Sequence, residues 1–340
     1  MRELSTQLKT KANSARKITY AQAINEALHQ IIAKDPHVFL IGQGVTSPWY
    51  VGSTTADLIT RFGPKRIIDT PTSENAITGV ALGAALAGMH PIMCFPRMDF
   101  MHYAMDQIAN HIANWHYMFG GQLSAPMTIW AIINRGGEQA AQHSQATHAI
   151  FMHIPGLKVV MPSTPYDAKG LLVASVEEDN PVAYIDDRWL YQHEGEVPEE
   201  LYSVPIGKGV VRREGEDATV VATSYMVHEA IMASESLDKE GIDVEVVDLR
   251  SLKPLDENLL LASVKKTGRL IVVDGGWKTC GVAAEISARV AESEVFRSLK
   301  APIIRVSLPD TPAPASLALE NVYYPNAEKI ILAVRKILEM

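Results

Sequence analysis

Apolar positions along the chain follow two rhythms, and each rhythm predicts a different element. Between residues 19 and 33, Ala21, Ile24, Ala27, Leu28, Ile31 and Ile32 recur at three- and four-residue spacings, which predicts a helix buried along one side. Residues 38–42 form a short continuous apolar run ending at glycine, the pattern of a buried strand. A second helix is predicted over 55–62, stopped by Gly63 and Pro64, and a short strand over 66–69. Residues 74–87 are mostly small and apolar. Their repeated glycines weaken an isolated helix, so they predict a buried one that another backbone or a ligand approaches closely. A single helix is predicted over 101–118, where Met101, Met105, Ile108, Ile112 and Trp115 form a stripe suited to a core or a subunit interface. Strands are predicted over 127–133, 157–161 and 181–185, and a helix over 166–176 behind Pro165.

The second half repeats the alternation more compactly. It predicts strands over 218–223, 244–248, 269–273 and 303–306, and helices over 227–237, 257–265 and 279–290. Between the halves, residues 186–205 turn acidic and irregular, with the composition of a linker. The expected organisation is a polar arm over 1–16, a larger α/β domain over 17–190, a linker over 191–206 and a smaller α/β domain over 207–340.

Composition narrows the partners. With 47% apolar residues in 340, the chain can bury two cores, and disorder is a poor reading. Its 31 basic and 39 acidic residues leave a formal charge of -8, which gives no positive field to gather nucleic acid. No apolar run approaches the roughly 20 residues of a membrane span. The start shows no secretory pattern, and Cys94 and Cys280 form no closely spaced metal-ligand cluster, so a reducing, cytoplasmic setting is expected.

Two segments carry candidate chemistry. Residues 69–75, Asp-Thr-Pro-Thr-Ser-Glu-Asn, lie at a strand-to-helix transition. There Ser73 and Glu74 suit either the capping of a helix or a buried acid that exchanges a proton with a cofactor. Residues 140–145, Ala-Ala-Gln-His-Ser-Gln, place His143 between two neutral amides, fit for proton transfer or for ordering a loop. His148 and His153 have no metalloprotease spacing, and no nucleophile elbow, Walker lysine or dinucleotide fingerprint occurs. Gly275-Gly276 reads most simply as a tight turn after a strand.

Taken together, the segment Ile67 to Glu74, Gly120-Gly121-Gln122, Gln142-His143-Ser144-Gln145, Pro155 to Val160 and Pro162 to Leu171 resemble the β subunit of 2-oxo acid dehydrogenase E1 components. That family comprises the pyruvate, branched-chain and acetoin enzymes and is transketolase-like. The resemblance implies a thiamine-diphosphate pyrimidine-binding parallel-sheet domain followed by a transketolase C-terminal-like domain. It implies that Glu74 hydrogen-bonds the aminopyrimidine and shares a proton with its ring nitrogen, that Phe100 packs beside that ring, and that His143 lies near the reacting centre. It also implies an E1 α-type partner in an α2β2 assembly that supplies most of the diphosphate and Mg2+ site, a small 2-oxo acid substrate, and a lipoylated E2 acceptor. A structural K+ held by main-chain carbonyls around Met127, Ser175, Glu178 and Asn180 is a further implication.

Two departures bear on the substrate. Gln43 stands where many members of that family carry an acid, and Trp115 to Phe119 replace a more basic and small-polar segment. Dehydrogenation with transfer to lipoyl-E2 is the expected reaction. Carboligation onto a carbonyl or sugar acceptor is the alternative.

Overall fold

The computed structural model of the protein describes residues 16–49 and 51–340, so the expected N-terminal arm lies outside the described residues except for Arg16. The first half runs β1 (Lys17–Thr19), α1 (Tyr20–Lys34), β2 (Val38–Gly42), α2 (Leu58–Phe62), β3 (Ile67–Asp69), α3 (Glu74–Leu86), β4 (His90–Phe95), α4 (Trp115–Met118), β5 (Thr128–Ile133), α5 (His148–His153), β6 (Lys158–Val160), α6 (Pro165–Glu177), β7 (Val182–Asp187) and β8 (Glu194–Glu196). The second half runs β9 (Val210–Arg213), β10 (Ala218–Ala222), α7 (Tyr225–Asp238), β11 (Val244–Asp248), β12 (Ser251–Lys253), α8 (Glu257–Thr267), β13 (Leu270–Trp277), α9 (Val282–Glu292), β14 (Ile304–Leu308), α10 (Leu317–Tyr323) and α11 (Ala327–Leu338).

The expected two-domain α/β architecture is present. A seven-stranded sheet has the order β12-β6-β7-β5-β4-β2-β3, and a five-stranded sheet has the order β14-β13-β10-β11-β9. The central parallel strands are covered on both faces: every residue of β2, β5, β10 and β11 is buried, including the polar Thr219, Glu245 and Asp248. α1 starts where a capping box permits, with the Thr19 side chain accepting from the Gln22 backbone and the Gln22 side chain accepting from the Thr19 backbone. Pro165 takes the first helical position of α6 behind Thr164, whose hydroxyl accepts from the backbone of Asp167.

Several elements depart from the sequence expectation. β4 is a central strand that the pattern hid, because Pro91 and a shortage of β-branched residues weaken its signal. Pro91 is tolerated because pairing with β5 begins only at Ile92, opposite Thr128. The single helix expected over 101–118 is broken into a 3-10 stretch (Met98–Ala104), a π-helical stretch (Asp106–Ile112) and α4. The wide turn keeps Ile108 and Ile112 buried, and the Asn114 amide donates to the carbonyls of Ala109 and Asn110. The connecting segment is ordered: β8 pairs antiparallel with β1, and the buried Lys169 ammonium donates to the carbonyls of Pro198 and Glu199 while pairing with Glu26. Gly275-Gly276 is no turn but lies inside β13. A Cβ at Gly275 would meet Arg135 at 3.2 Å, and one at Gly276 would meet the Ala146 carbonyl at 3.2 Å, so the pair lets the first domain pack directly on this strand.

The two domains share polar contacts across their junction. β12 comes from the second half yet completes the first sheet, antiparallel to β6, which leaves β6 without an open edge. Arg212 pairs with both Asp167 and Asp248, Arg250 donates to Asp167 at 2.8 Å, and His148 meets Asp274 at 2.8 Å.

Candidate functional site

The carboxyl ends of β2, β3 and β4 converge on a cleft lined by Gln43, Pro71 to Glu74, Ile77, Met93 to Pro96 and Phe100. Glu74 is the first residue of α3, where the helix dipole favours an anion. The capping alternative fails here, because Ser73 makes no side-chain cap bond and the Glu74 carboxylate takes no hydrogen bond from the described residues. One half-buried carboxylate therefore opens into a cleft whose other walls are largely apolar. An aminopyrimidine ring, flat and apolar on its faces with polar nitrogens at its edge, fits such a donor set.

Phe100 forms part of the far wall, and His143 packs against it edge-on with ring centroids 5.4 Å apart. The structure thus brings Glu74, Phe100 and His143 to one region from three separate segments. Asp69, at the end of β3, accepts from the Gly44 backbone at 2.8 Å and from the Thr46 hydroxyl, and so fixes the loop that carries Gln43. Burial would raise the Asp69 carboxyl, but these hydrogen bonds hold it below the ordinary range.

Sequence reasoning missed the residues that hold the His143 loop. Asp99, adjacent to Phe100, is buried and accepts from the Gln145 backbone at 3.1 Å; burial pushes its carboxyl above the ordinary range. From the second domain, the Tyr324 hydroxyl accepts from the Gly136 backbone at 3.3 Å. The buried Glu320 accepts from the Glu138 backbone at 3.0 Å, and the Glu138 carboxylate in turn accepts from the Leu317 backbone at 3.3 Å. Gly136 has φ +73°, and a Cβ there would run into the Trp189 ring at 2.2 Å, so no other residue suits this turn. The Asp99 to Phe100 adjacency was the only local signal for any of these contacts; the α10 residues lie more than 170 positions away.

Met127 sits just before β5, Ser175 is buried in the last turns of α6, and Glu178 and Asn180 lie in the loop that leads into β7. These positions share one end of the sheet, where the Met127 carbonyl accepts from the Val182 backbone at 3.0 Å. The Asn180 side-chain amide oxygen Oδ1 is buried there without a partner, and Glu178 pairs with Lys158. Among the described residues no group of three or more His, Cys, Asp or Glu side chains is arranged to hold a metal, and no helix is long and apolar enough to cross a membrane.

In the chain alone α3 is buried on only one side. Ile77, Thr78, Ala81, Leu82 and Ala85 face the core, whereas Val80 and Leu86 are exposed. Tyr103, Tyr117, Met118 and Phe119 are exposed as well.

The family described as "Transketolase, pyrimidine binding domain" matches residues 16–193, and that described as "Transketolase, C-terminal domain" matches residues 207–330. The acetoin:2,6-dichlorophenolindophenol oxidoreductase β subunit of Cupriavidus necator is 45% identical over 335 residues, covering 96% of this chain and 98% of the relative. The pyruvate dehydrogenase E1 β subunit of Bacillus subtilis is 39% identical over 323 residues, covering 95% and 99%. A solved split-gene transketolase, described as an inactive β4 tetramer, superposes with a TM-score of 0.76 at 25% identity, covering 95% of this chain and 98% of its own. With both domains matched and near-complete relatives at this level of identity, the chain belongs to the β subunits of the thiamine-diphosphate-dependent 2-oxo acid and acetoin dehydrogenase E1 family.

Proposed function

We propose that the chain is the β half of an E1 enzyme that decarboxylates a small 2-oxo acid, with Glu74 as its catalytic carboxylate. The observation that carries this reading is the unpartnered Glu74 carboxylate at the start of α3, facing the apolar cleft that Phe100 closes. When bound, thiamine diphosphate supplies the electron sink for decarboxylation. Glu74 would hydrogen-bond the edge of the pyrimidine, Phe100 would pack beside that ring, and His143, in edge-on contact with Phe100, would stand near the reacting centre to bind or transfer a proton. Asp69 and Asp99 keep the Gln43 and His143 loops in place.

An α-type partner completes the enzyme and supplies the Mg2+ and diphosphate site in an α2β2 assembly. Support comes from the exposed large apolar residues Val80 and Leu86 of α3 and Tyr103, Tyr117, Met118 and Phe119, which a covering partner would bury. Main-chain carbonyls near Met127, Ser175, Glu178 and Asn180 hold a structural K+, a reading supported by the Asn180 side-chain oxygen Oδ1, which is buried without a hydrogen-bond partner at that end of the sheet. The free thiols Cys94 and Cys280 go with a cytoplasmic setting.

Transfer of the acyl unit to a lipoylated E2 is the first reading. Carboligation is the second, favoured by Gln43, a neutral amide lining the cleft. Co-expression with the α-type partner, addition of thiamine diphosphate and Mg2+, and mass spectrometry of a 2-oxo acid panel test both. Reductive acylation of a lipoyl domain supports the first, a new carbon-carbon product supports the second, and no consumption of any acid by the assembled complex refutes both.

A further inference from the structure

Ligands of open α/β sheets bind outside the carboxyl ends of the strands, where the chain leaves two neighbouring strands toward opposite faces. In the five-stranded sheet that place is between β10 and β13: α7 follows β10 and packs on one face, and α9 follows β13 and packs on the other. Here the crevice is filled from the first domain. The Arg135 side chain, which leaves the chain just after β5, enters it: a Cβ on Gly275 of β13 would come within 3.2 Å of Arg135 Nη1 and 4.0 Å of Met226 in α7.

Packing between aromatic rings holds the guanidinium there. Its side chain is 2% exposed, and its central carbon lies 4.9 Å from the ring centroids of both Trp189, just after β7, and Tyr225, the first residue of α7. Nη2 donates to Asp187, while Nε and Nη1 have no hydrogen-bond partner among the described residues. Stacking of this kind needs a flat cation, and of the two long basic side chains only arginine is flat. Two of these neighbours, Tyr225 and Gly275, belong to the second domain.

Arg135 also begins the turn that ends at His143. Gly136, Gly137, Glu138 and Ala140 all have positive φ, and at Glu138 and Ala140, with +59° and +60°, such a backbone persists only where its surroundings impose it. The bonds from the Gly136 and Glu138 backbone to Tyr324 and Glu320 hold the turn from outside. A turn fixed at this many points passes a displacement of its first residue on to the imidazole at its end.

We propose that Arg135 is a positioning residue through which the second domain fixes where the His143 imidazole stands. The proposal rests on the reading that His143 lies near the reacting centre, and it gives the second domain a part in the reaction without a catalytic side chain of its own.

The test uses the full chain assembled with its α-type partner, in two variants. Arg135→Lys keeps a charge opposite Asp187 but cannot stack between the rings, and Gly275→Ala keeps Arg135 while its new Cβ presses on Nη1. The direct readout is the rate at which diethyl pyrocarbonate carbethoxylates His143, followed by peptide mass spectrometry with the exposed His37 as internal reference. In each variant that rate is expected to change about threefold or more relative to His37, and kcat for a 2-oxo acid to fall about tenfold with KM within about twofold, because a misplaced group slows the chemical step. Either variant decides alone if the other fails to fold. Unchanged labelling of His143 in an assembled variant overturns the proposal, with or without a fall in kcat or stability, because the arginine would then only join the two domains. A labelling shift with wild-type kcat, in these variants and in His143→Gln alike, supports the positioning and refutes instead the reading of His143 as near the reacting centre.

Discussion

Removing the Asp274 carboxylate tests how far the second domain holds the segment that follows His143. His148 Nε2 and Asp274 Oδ1 are 2.8 Å apart, with side chains 1% and 2% exposed. His148 Nδ1 has no other partner, so Asp274→Ala leaves a buried imidazole with neither nitrogen bonded. Breaking a buried pair in this way costs about 3–5 kcal/mol, and losing a hydrogen bond to a charged group costs about 1.5–3 kcal/mol. A cost of about 3 kcal/mol corresponds to roughly a hundredfold in a local opening equilibrium. Hydrogen exchange read by mass spectrometry is therefore expected to show protection over residues 147–154 falling about a hundredfold in Asp274→Ala. Asp274→Asn keeps an acceptor and is expected to lose far less, about fivefold at a cost of ~1 kcal/mol. Burial pushes the Asp274 carboxyl up, but the neighbouring His148 and the backbone N–H groups of Gly276 and Val282 outweigh burial and hold it below the ordinary range. A depressed carboxylate contributes fully above its unfolded pKa and loses that contribution as pH falls through the folded value. Wild type and Asp274→Ala are thus expected to converge only below about pH 4. A change of less than threefold at neutral pH in Asp274→Ala would mean that this buried pair does not hold the 147–154 segment.

Three further outcomes follow from the same geometry. Tyr324→Phe leaves the Gly136 backbone N–H unpaired, at a cost of about 1–2 kcal/mol; exchange over residues 134–147 should rise roughly tenfold, with kcat falling more than KM changes, and unaltered exchange there contradicts the role given to α10. Burial pushes Asp186 up to about 8, so the native state keeps a proton that the unfolded chain releases and stability declines as pH rises from about 4 to 8; Asp186→Asn should flatten that decline in urea midpoints measured from pH 5 to 9, and parallel curves contradict it. Phe100→Ala removes the aromatic wall of the Glu74 cleft and should weaken thiamine diphosphate binding by the assembled complex about tenfold by calorimetry, whereas an unchanged affinity places the ring elsewhere.

What the sequence made legible was local. α1 and α6 announced themselves through apolar spacing and end signals, β2 through an unbroken apolar run and β11 through its β-branched valines. Glu74 and His143 stood out through motifs that are contiguous in the chain. β4 stayed hidden because a proline and sulfur-bearing side chains replaced the usual strand residues, although neighbours on both sides make it central. The break in the 101–118 helix was invisible because a π-type turn preserves the same apolar stripe. The hold of Glu320 and Tyr324 on the loop before His143, and of Asp274 on His148 after it, depends on contacts between distant segments that leave no periodic trace.

A Glu74 carboxylate that acts on the cofactor within an α–β complex leaves a direct kinetic signature. The most direct measurement is the rate at which thiamine diphosphate, bound to that complex with Mg2+, exchanges its thiazolium C2 proton for deuterium in wild type and in Glu74→Gln. A loss of about 100-fold or more is expected in the variant, with the complex still assembled and the cofactor still bound. Equal exchange rates in the two proteins would contradict it.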